Sequence, residues 1–309
     1  MTDQFEMPKS RNCGAVAVLH SAIEADPQMY ARMAEIENLT QSRIMSSDML
    51  RQMPEITIPV VVHVVYNTLE ENISDAQIAS QIHILNADYS AQNGDQGRIP
   101  AVWRGLSTDS RLRFALARRD PSGGPTSGIT RTQTNRTSFG KNHNVKSKST
   151  GGADQWPPDR YLNIWVCTLN GLLGYATFPS MPREIDGVVV LNRAFGSTGL
   201  VVAPYDAGRT TVHEIGHWLN LIHIWGDTSD CSGNDQVSDT PKAQLPNYGT
   251  KQFPHVSCNN GPDGDMFMNY MDYVDDEAMF MFTSGQIARM HATLSGPRSD
   301  IVENSAMVL

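Results

Sequence analysis

Long apolar runs are missing from this 309-residue chain: the nearest approach, Ile58 to Tyr66, is interrupted by His63. That is far short of the roughly 18 residues needed to cross a bilayer, so no membrane partner is expected. Basic charge is also scarce. Twenty-four Lys and Arg face 33 Asp and Glu, a formal net charge of −9, and such a surface lacks the field that draws a protein onto phosphate backbones. Nucleic acid is therefore not an expected partner. Four cysteines, Cys13, Cys167, Cys231 and Cys258, are too few for a disulfide scaffold, and with no CxxC pair a finger-type zinc site is not expected either. The N-terminus MTDQFEMPKSRNCG has no apolar stretch behind a basic start, so no signal peptide is visible in it. What remains, 40% apolar and 18% charged residues, is the composition of a globular protein with enough side chain to fill a core.

The first 50 or so residues read as polar and helical, with Met29 to Leu39 striped at helical spacing after Asp26-Pro27. They hold too few apolar residues for a core. At Pro54 the pattern changes to EITIPVVVHVVY, apolar on both faces as a covered central strand requires. Ser74 then caps an amphipathic helix carrying Ile78, Ile82 and Leu85. Strands are expected at LRFALARRD, YLNIWVCTL and DGVVVLN, with LLGYATFP as an edge strand, while the polar stretch through Lys148 reads as loop. A helix follows from Gly208, then a long unpatterned region from Gly226 to Asp265, and last a helix from Thr283 to Leu294 capped by Ser284. A loop of that length inside a folded domain is usually functional or tied down. The expected class is α/β.

The informative segment is TTVHEIGHWLNLIHIWGD, residues 210–227. His213 and His217 are four apart and share one helix face, so two imidazoles can hold one Zn²⁺ while Glu214 points at its open position. His223 lies six further on, too far around the same straight helix, so the chain must turn after Leu219. Asn220 is where the turn falls, because Asn after Gly best tolerates the left-handed conformation. Three of the nine histidines within eleven residues set this apart from a chance HExxH.

With these residues the chain resembles the metzincin zinc proteases, whose signature is HExxHxxGxxH followed by a methionine turn. HEIGHWLNLIH departs from it only at Asn220, and NYMDY supplies the second signature with Met271 as the floor beneath the metal and Tyr273 beside it. HIWGD, DQVSDTP and DDEAMFMFT look specifically like the pappalysin family, from about Pro54 to Leu294. The resemblance implies a metzincin-like α/β (α+β) fold: a mixed twisted sheet, an active-site helix, a long loop region stabilised by metal and disulfide, and a C-terminal helix. It implies a zinc endopeptidase acting on protein or peptide substrates, with zinc on His213, His217 and His223, Glu214 as general base and Tyr273 aiding the oxyanion. LLGYA would be the rim strand that pairs with substrate.

The same resemblance implies a Cys231–Cys258 bridge, with a second family bridge missing because its position is Ala278. It implies a structural Ca²⁺ held by Asp235, the Val237 carbonyl and Thr240, with Ser232 and Asp239 as further candidates. Cys167, on an apolar strand, reads as a buried free thiol. Cys13-Gly14 resembles the cysteine switch of related zymogens, in which a thiolate takes the metal's fourth position and the pro-segment is the protein's own inhibitor. The expected division is a pro-segment at 1–50 and a catalytic domain at 51–309, its upper part ending near 223 and its lower part spanning 224–309. Cleavage before Arg43 or Arg51 would release the pro-segment. Glu277 is expected to floor a pocket for Lys or Arg at P1′, and the protein is expected to be extracellular. Two other readings keep the same site, a zinc hydrolase of a non-peptide amide and a catalytically silent metal-containing binding module. Retention of Glu214 and Tyr273, which zinc binding alone does not require, favours catalysis.

Overall fold

The computed structural model describes residues 6–45 and 54–309. The N-terminal part holds two helices, α1 (Ala15–Ala25) and α2 (Met29–Met45), laid against the outside of the sheet domain. Both lie in the stretch expected to be helical, although only α2 carried a stripe of apolar residues at helical spacing. Asp26 does mark the start of α2, its side chain accepting from Gln28 N at 3.0 Å. Leu50-Arg51, one expected cleavage point and the domain boundary, lies outside the described residues, whereas Arg43 sits in the last turn of α2.

The sheet domain opens with β1 (Ile56–Tyr66), nearly all buried, as its two apolar faces demand. Then come α3 (Asp75–Tyr89), capped by the Ser74 side chain, and β2 (Leu112–Leu116). β3 (Ile129–Gln133), β4 (Leu162–Cys167), β5 (Gly174–Ala176) and β6 (Val188–Leu191) complete the sheet. The order is β2-β1-β4-β6-β5, and β3 pairs with the far half of the same β1 edge that holds β2. All pairings are parallel except β5 on β6, which makes the sheet mixed and puts its one reversed strand on an edge. β3 corrects the expectation of loop in this stretch: ITRTQ is only partly buried, so it lacks the apolar alternation that marks a strand.

α4 (Arg209–Trp218) crosses beneath β5 and β6 with every residue buried. The chain then runs without α-helix or strand, apart from one 3₁₀ turn at Asp276–Ala278, to α5 (Ser284–Leu294) and α6 (Ser299–Asn304). The cap of α5 is Thr283 rather than Ser284, and it forms a reciprocal capping box with Gln286. Ser284 instead donates to Asp239. Among the described residues no helix is long and apolar enough to cross a membrane.

Candidate metal centre

The end of α4 shows how the local sequence builds a site. Leu219 closes the helix and Asn220 takes the left-handed conformation, φ 69°. Leu221 N bonds back to Gly216 O at 2.9 Å, the reversal expected of Asn220, and His223 is carried to the face that holds His213 and His217. Each imidazole has its Nδ1 occupied: His213 on Tyr270 O at 2.6 Å, His217 on Leu221 O at 2.9 Å, His223 on the Asp227 carboxylate at 2.6 Å. With the ring protons engaged there, the three Nε2 atoms carry lone pairs, and they face one another at 3.1 to 3.2 Å. Lone pairs so placed repel unless a cation lies between them. Ligands about 2.0 Å from a tetrahedral Zn²⁺ would stand about 3.3 Å apart, so the spacing fits that ion.

Cys13 Sγ completes the group, its sulfur and the three imidazole nitrogens all lying within 4.8 Å of one another. It also meets Glu214 Oε2 at 3.4 Å. Burial holds His213 and His217 far below the usual imidazole range, neutral as ligands must be. Burial likewise pushes Glu214 up to about 8 and the Cys13 thiol well above its ordinary value, Glu214 adding to the latter. A divalent cation reverses this logic for a thiol beside it.

Two glycines make room. A Cβ on Gly216 would lie 2.5 Å from Met271 Sδ, so the methionine floor and the glycine inside HEIGH require each other. A Cβ on Gly174 would sit 2.9 Å from Glu214 Cγ and from Val189 O, so only a bare backbone lets β5 pass over the glutamate. Met271 is wholly buried, and the Tyr273 ring leans on both His213 and His223, with its hydroxyl 3.5 Å from Cys13 O.

The N-terminal segment runs along β5 as one more strand. Leu173 N donates to Asn12 O at 3.0 Å and Gly14 N to Gly174 O at 2.8 Å, in parallel sense. Two residues before Cys13, the Arg11 guanidinium is buried against the Asp276 carboxylate at 2.5 Å, with further bonds to Val274 O and Thr210 Oγ1. The other Asp276 oxygen accepts from Ala207 N and Arg209 N at the start of α4. Glu277, the residue expected to floor a P1′ pocket, has its side chain exposed, and its carbonyl accepts from Arg98. The residues 276–278 form a 3₁₀ turn, so adjacent carboxylates leave it in different directions and only Asp276 points inward. Arg11, Asp276, Asp227 and the two glycines were given no role by sequence reading, although Gly216, Asp227, Asp276 and Gly174 all lie inside motifs quoted for the resemblance.

Cys231 and Cys258 are bridged, and Cys167 is free and buried. Within the bridged segment Thr240 Oγ1 lies 2.7 Å from the Asp235 carboxylate and 2.9 Å from Val237 O, a cluster of hard oxygens, while burial pushes Asp235 up to about 7. Asp239 is taken by Thr283, Ser284 and Gly285 at the start of α5, and Ser232 by Asp230, so neither joins that cluster.

The family model described as pregnancy-associated plasma protein-A (Peptidase_M43) matches residues 144–295. Promirolysin of Tannerella forsythia, solved as a Glu-to-Ala variant, shares 43% identity at a TM-score of 0.89, covering 96% of this chain and 99% of its own. Mature mirolysin of the same organism, in complex with a cleaved peptide, shares 48% identity at a TM-score of 0.79, covering 81% of this chain and 97% of its own. An extracellular metalloprotease of Colletotrichum graminicola is 38% identical over 138 residues, 42% of this chain and 48% of that protein. The match thus spans about half the length of that curated relative.

Proposed function

We propose, from the premise that this chain belongs to the pappalysin family of metalloproteases, that it is an extracellular zinc endopeptidase kept latent by its own residues 1–50. The observation that carries this is the meeting of three imidazole lone pairs, one thiol and Glu214 in a single buried group. His213, His217 and His223 would hold the zinc, and Cys13 would hold it too in the latent chain. When bound, the ion supplies Lewis acidity at the scissile carbonyl.

The rest follows from this chain's side chains. With residues 1–50 gone, a peptide takes the place of residues 11–14 beside β5 and uses the same backbone groups, Leu173 N and Gly174 O. Glu214, under β5, accepts the proton of the attacking water and returns it to the departing amine. The Tyr273 hydroxyl, which reaches the Cys13 carbonyl in the latent chain, donates to the oxyanion. Asp276, in place of Glu277, receives a Lys or Arg at P1′ as it receives Arg11. A buried carboxylate left without a cation disfavours other residues there. Asp235, the Val237 carbonyl and Thr240 would hold a calcium ion that stiffens the bridged segment.

The test is Glu214→Ala in the full-length chain. Zinc should stay near one per chain while cleavage of a denatured proteome falls by orders of magnitude, since the ligands remain and the base is gone. Near-normal turnover in that variant overturns the assignment.

A further inference from the structure

One contact between the N-terminal helices and the rest of the chain has no part in the chemistry above. Glu37 on α2 meets Arg289 on α5 fork to fork, its two carboxylate oxygens 2.9 and 2.8 Å from the two terminal nitrogens. The Arg289 side chain is only 1% exposed. Two backbone carbonyls, of Gln236 at 3.4 Å and Asn220 at 3.5 Å, fix its orientation, and its Nε finds no acceptor among the described residues. A guanidinium this deep needs a carboxylate. Asp235, an acid of its own domain, is bonded to Thr240 and acts on Arg289 only through space.

The position of this pair follows from the rim strand. Asn12 bonds to Gly171 and Leu173, and Cys13 pairs with Gly174. Further along, at Phe178 and Ser180, begins a cavity of about 330 Å³ between the two N-terminal helices and the domain, and Arg289 and Glu37 both line it. Along the rim strand, Arg11 with Asp276 therefore lies towards Gly171 and Glu37 with Arg289 towards Phe178, with the metal-facing Cys13 between them. If Asp276 receives the residue after the scissile bond, Arg289 lies on the side before it.

We propose that Arg289 is a specificity-determining residue of the non-primed side, where it binds the carboxylate of an Asp or Glu in the substrate, and that Glu37 fills that place in the latent chain. The inference rests on the protease reading above. When residues 1–50 leave, Arg289 loses its carboxylate but keeps both backbone carbonyls, so the fork stays aimed at the groove and an incoming acid pays little to orient it.

The full-length protein, zinc-loaded and activated, is offered quenched peptides with Arg at P1′ and with Glu, Gln or Lys in turn at P2, P3 and P4. At one of these positions Glu should exceed Gln by about ten-fold in kcat/KM, with Lys poorest. In Arg289→Gln that Glu-to-Gln ratio should fall towards one. Because a ratio is read, loss of active enzyme in the variant does not disturb it. Equal cutting of all three side chains at every position overturns the proposal, as does a Glu preference that survives in Arg289→Gln. Failure to cut any peptide by the activated parent overturns the protease reading instead, and this proposal with it.

Discussion

Replacing Arg11 by Met removes the guanidinium both from Asp276 and from the face of the Tyr205 ring, while keeping most of the aliphatic stem. Both partners are 1% exposed, so the loss is that of a buried pair, for which removing one member costs about 3–5 kcal/mol. Asp276 is not left bare, because Ala207 N and Arg209 N still bond to its other oxygen at 2.9 and 3.2 Å. The lower figure applies, about 3 kcal/mol, which is on the order of a hundred-fold in the equilibrium between docked and undocked N-terminal segment. Arg11→Lys, which keeps the charge but loses the fork, should fall between parent and Met. The assay is the lag before self-processing of the full-length chain, followed by gel and by hydrolysis of a peptide with Arg at P1′. Arg11→Met should shorten the lag sharply at low and high salt alike, since a buried pair is little screened, and Cys13→Ala serves as the positive control. A lag equal to the parent's in Arg11→Met, when Cys13→Ala shortens it, refutes the reasoning that Arg11 holds the segment through Asp276.

Asp276→Asn should keep an oxygen for the start of α4 while presenting an amide to the substrate, so terminal sequencing of digests should show the Lys and Arg preference at P1′ reduced by about ten-fold or more; an undiminished preference sinks Asp276 as the pocket acid. Burial lowers His63 to about 4. It is neutral in the fold, the unfolded chain gains a proton below its ordinary pKa of about 6.5, and the contribution of His63 is lost as pH falls from there towards 4. Urea titrations of the parent and His63→Gln should therefore show the parent's stability advantage shrinking by about 2 kcal/mol between about pH 7 and about pH 4.5, and a constant gap would contradict this. The Cys231–Cys258 bridge closes a loop with a sequence separation of 27, for which chain entropy gives about 3.5 kcal/mol. The Cys231→Ser, Cys258→Ser double variant should melt lower and be nicked by trypsin between those positions, and unchanged melting would show the segment is held by its other contacts.

The residues nearest the metal were legible because their information is local. The i, i+4 spacing of His213 and His217, and the one residue between Leu219 and Leu221 able to take a positive φ, specify a helix, a reversal and a third ligand within eleven positions. β1 was legible for a similar reason, its apolar character on both faces. What failed was pairing at long range. Arg11 and Asp276 are 265 residues apart, and nothing in the sequence separates Asp276 from Glu277 until the 3₁₀ turn aims one inward and the other at solvent. β3 stayed hidden because its support comes from β1 and not from its own side chains. At α5, Thr283 and Ser284 are both good caps, and only Asp239, drawing Ser284 away, settles which one serves.

The parallel run of residues 12–14 along β5 also bears on how the molecule survives before it is used. β5 is a sheet edge, and an edge strand with free backbone groups invites pairing with any extended chain, including another copy of itself. A protease that binds substrate through such an edge cannot blunt it with charge or proline without losing the interaction. Asn12 and Gly14 take up the backbone groups of Leu173 and Gly174, so in the full-length fold that side is covered. The N-terminal segment is in this respect a cover on an edge that would otherwise be open to pairing with another extended chain.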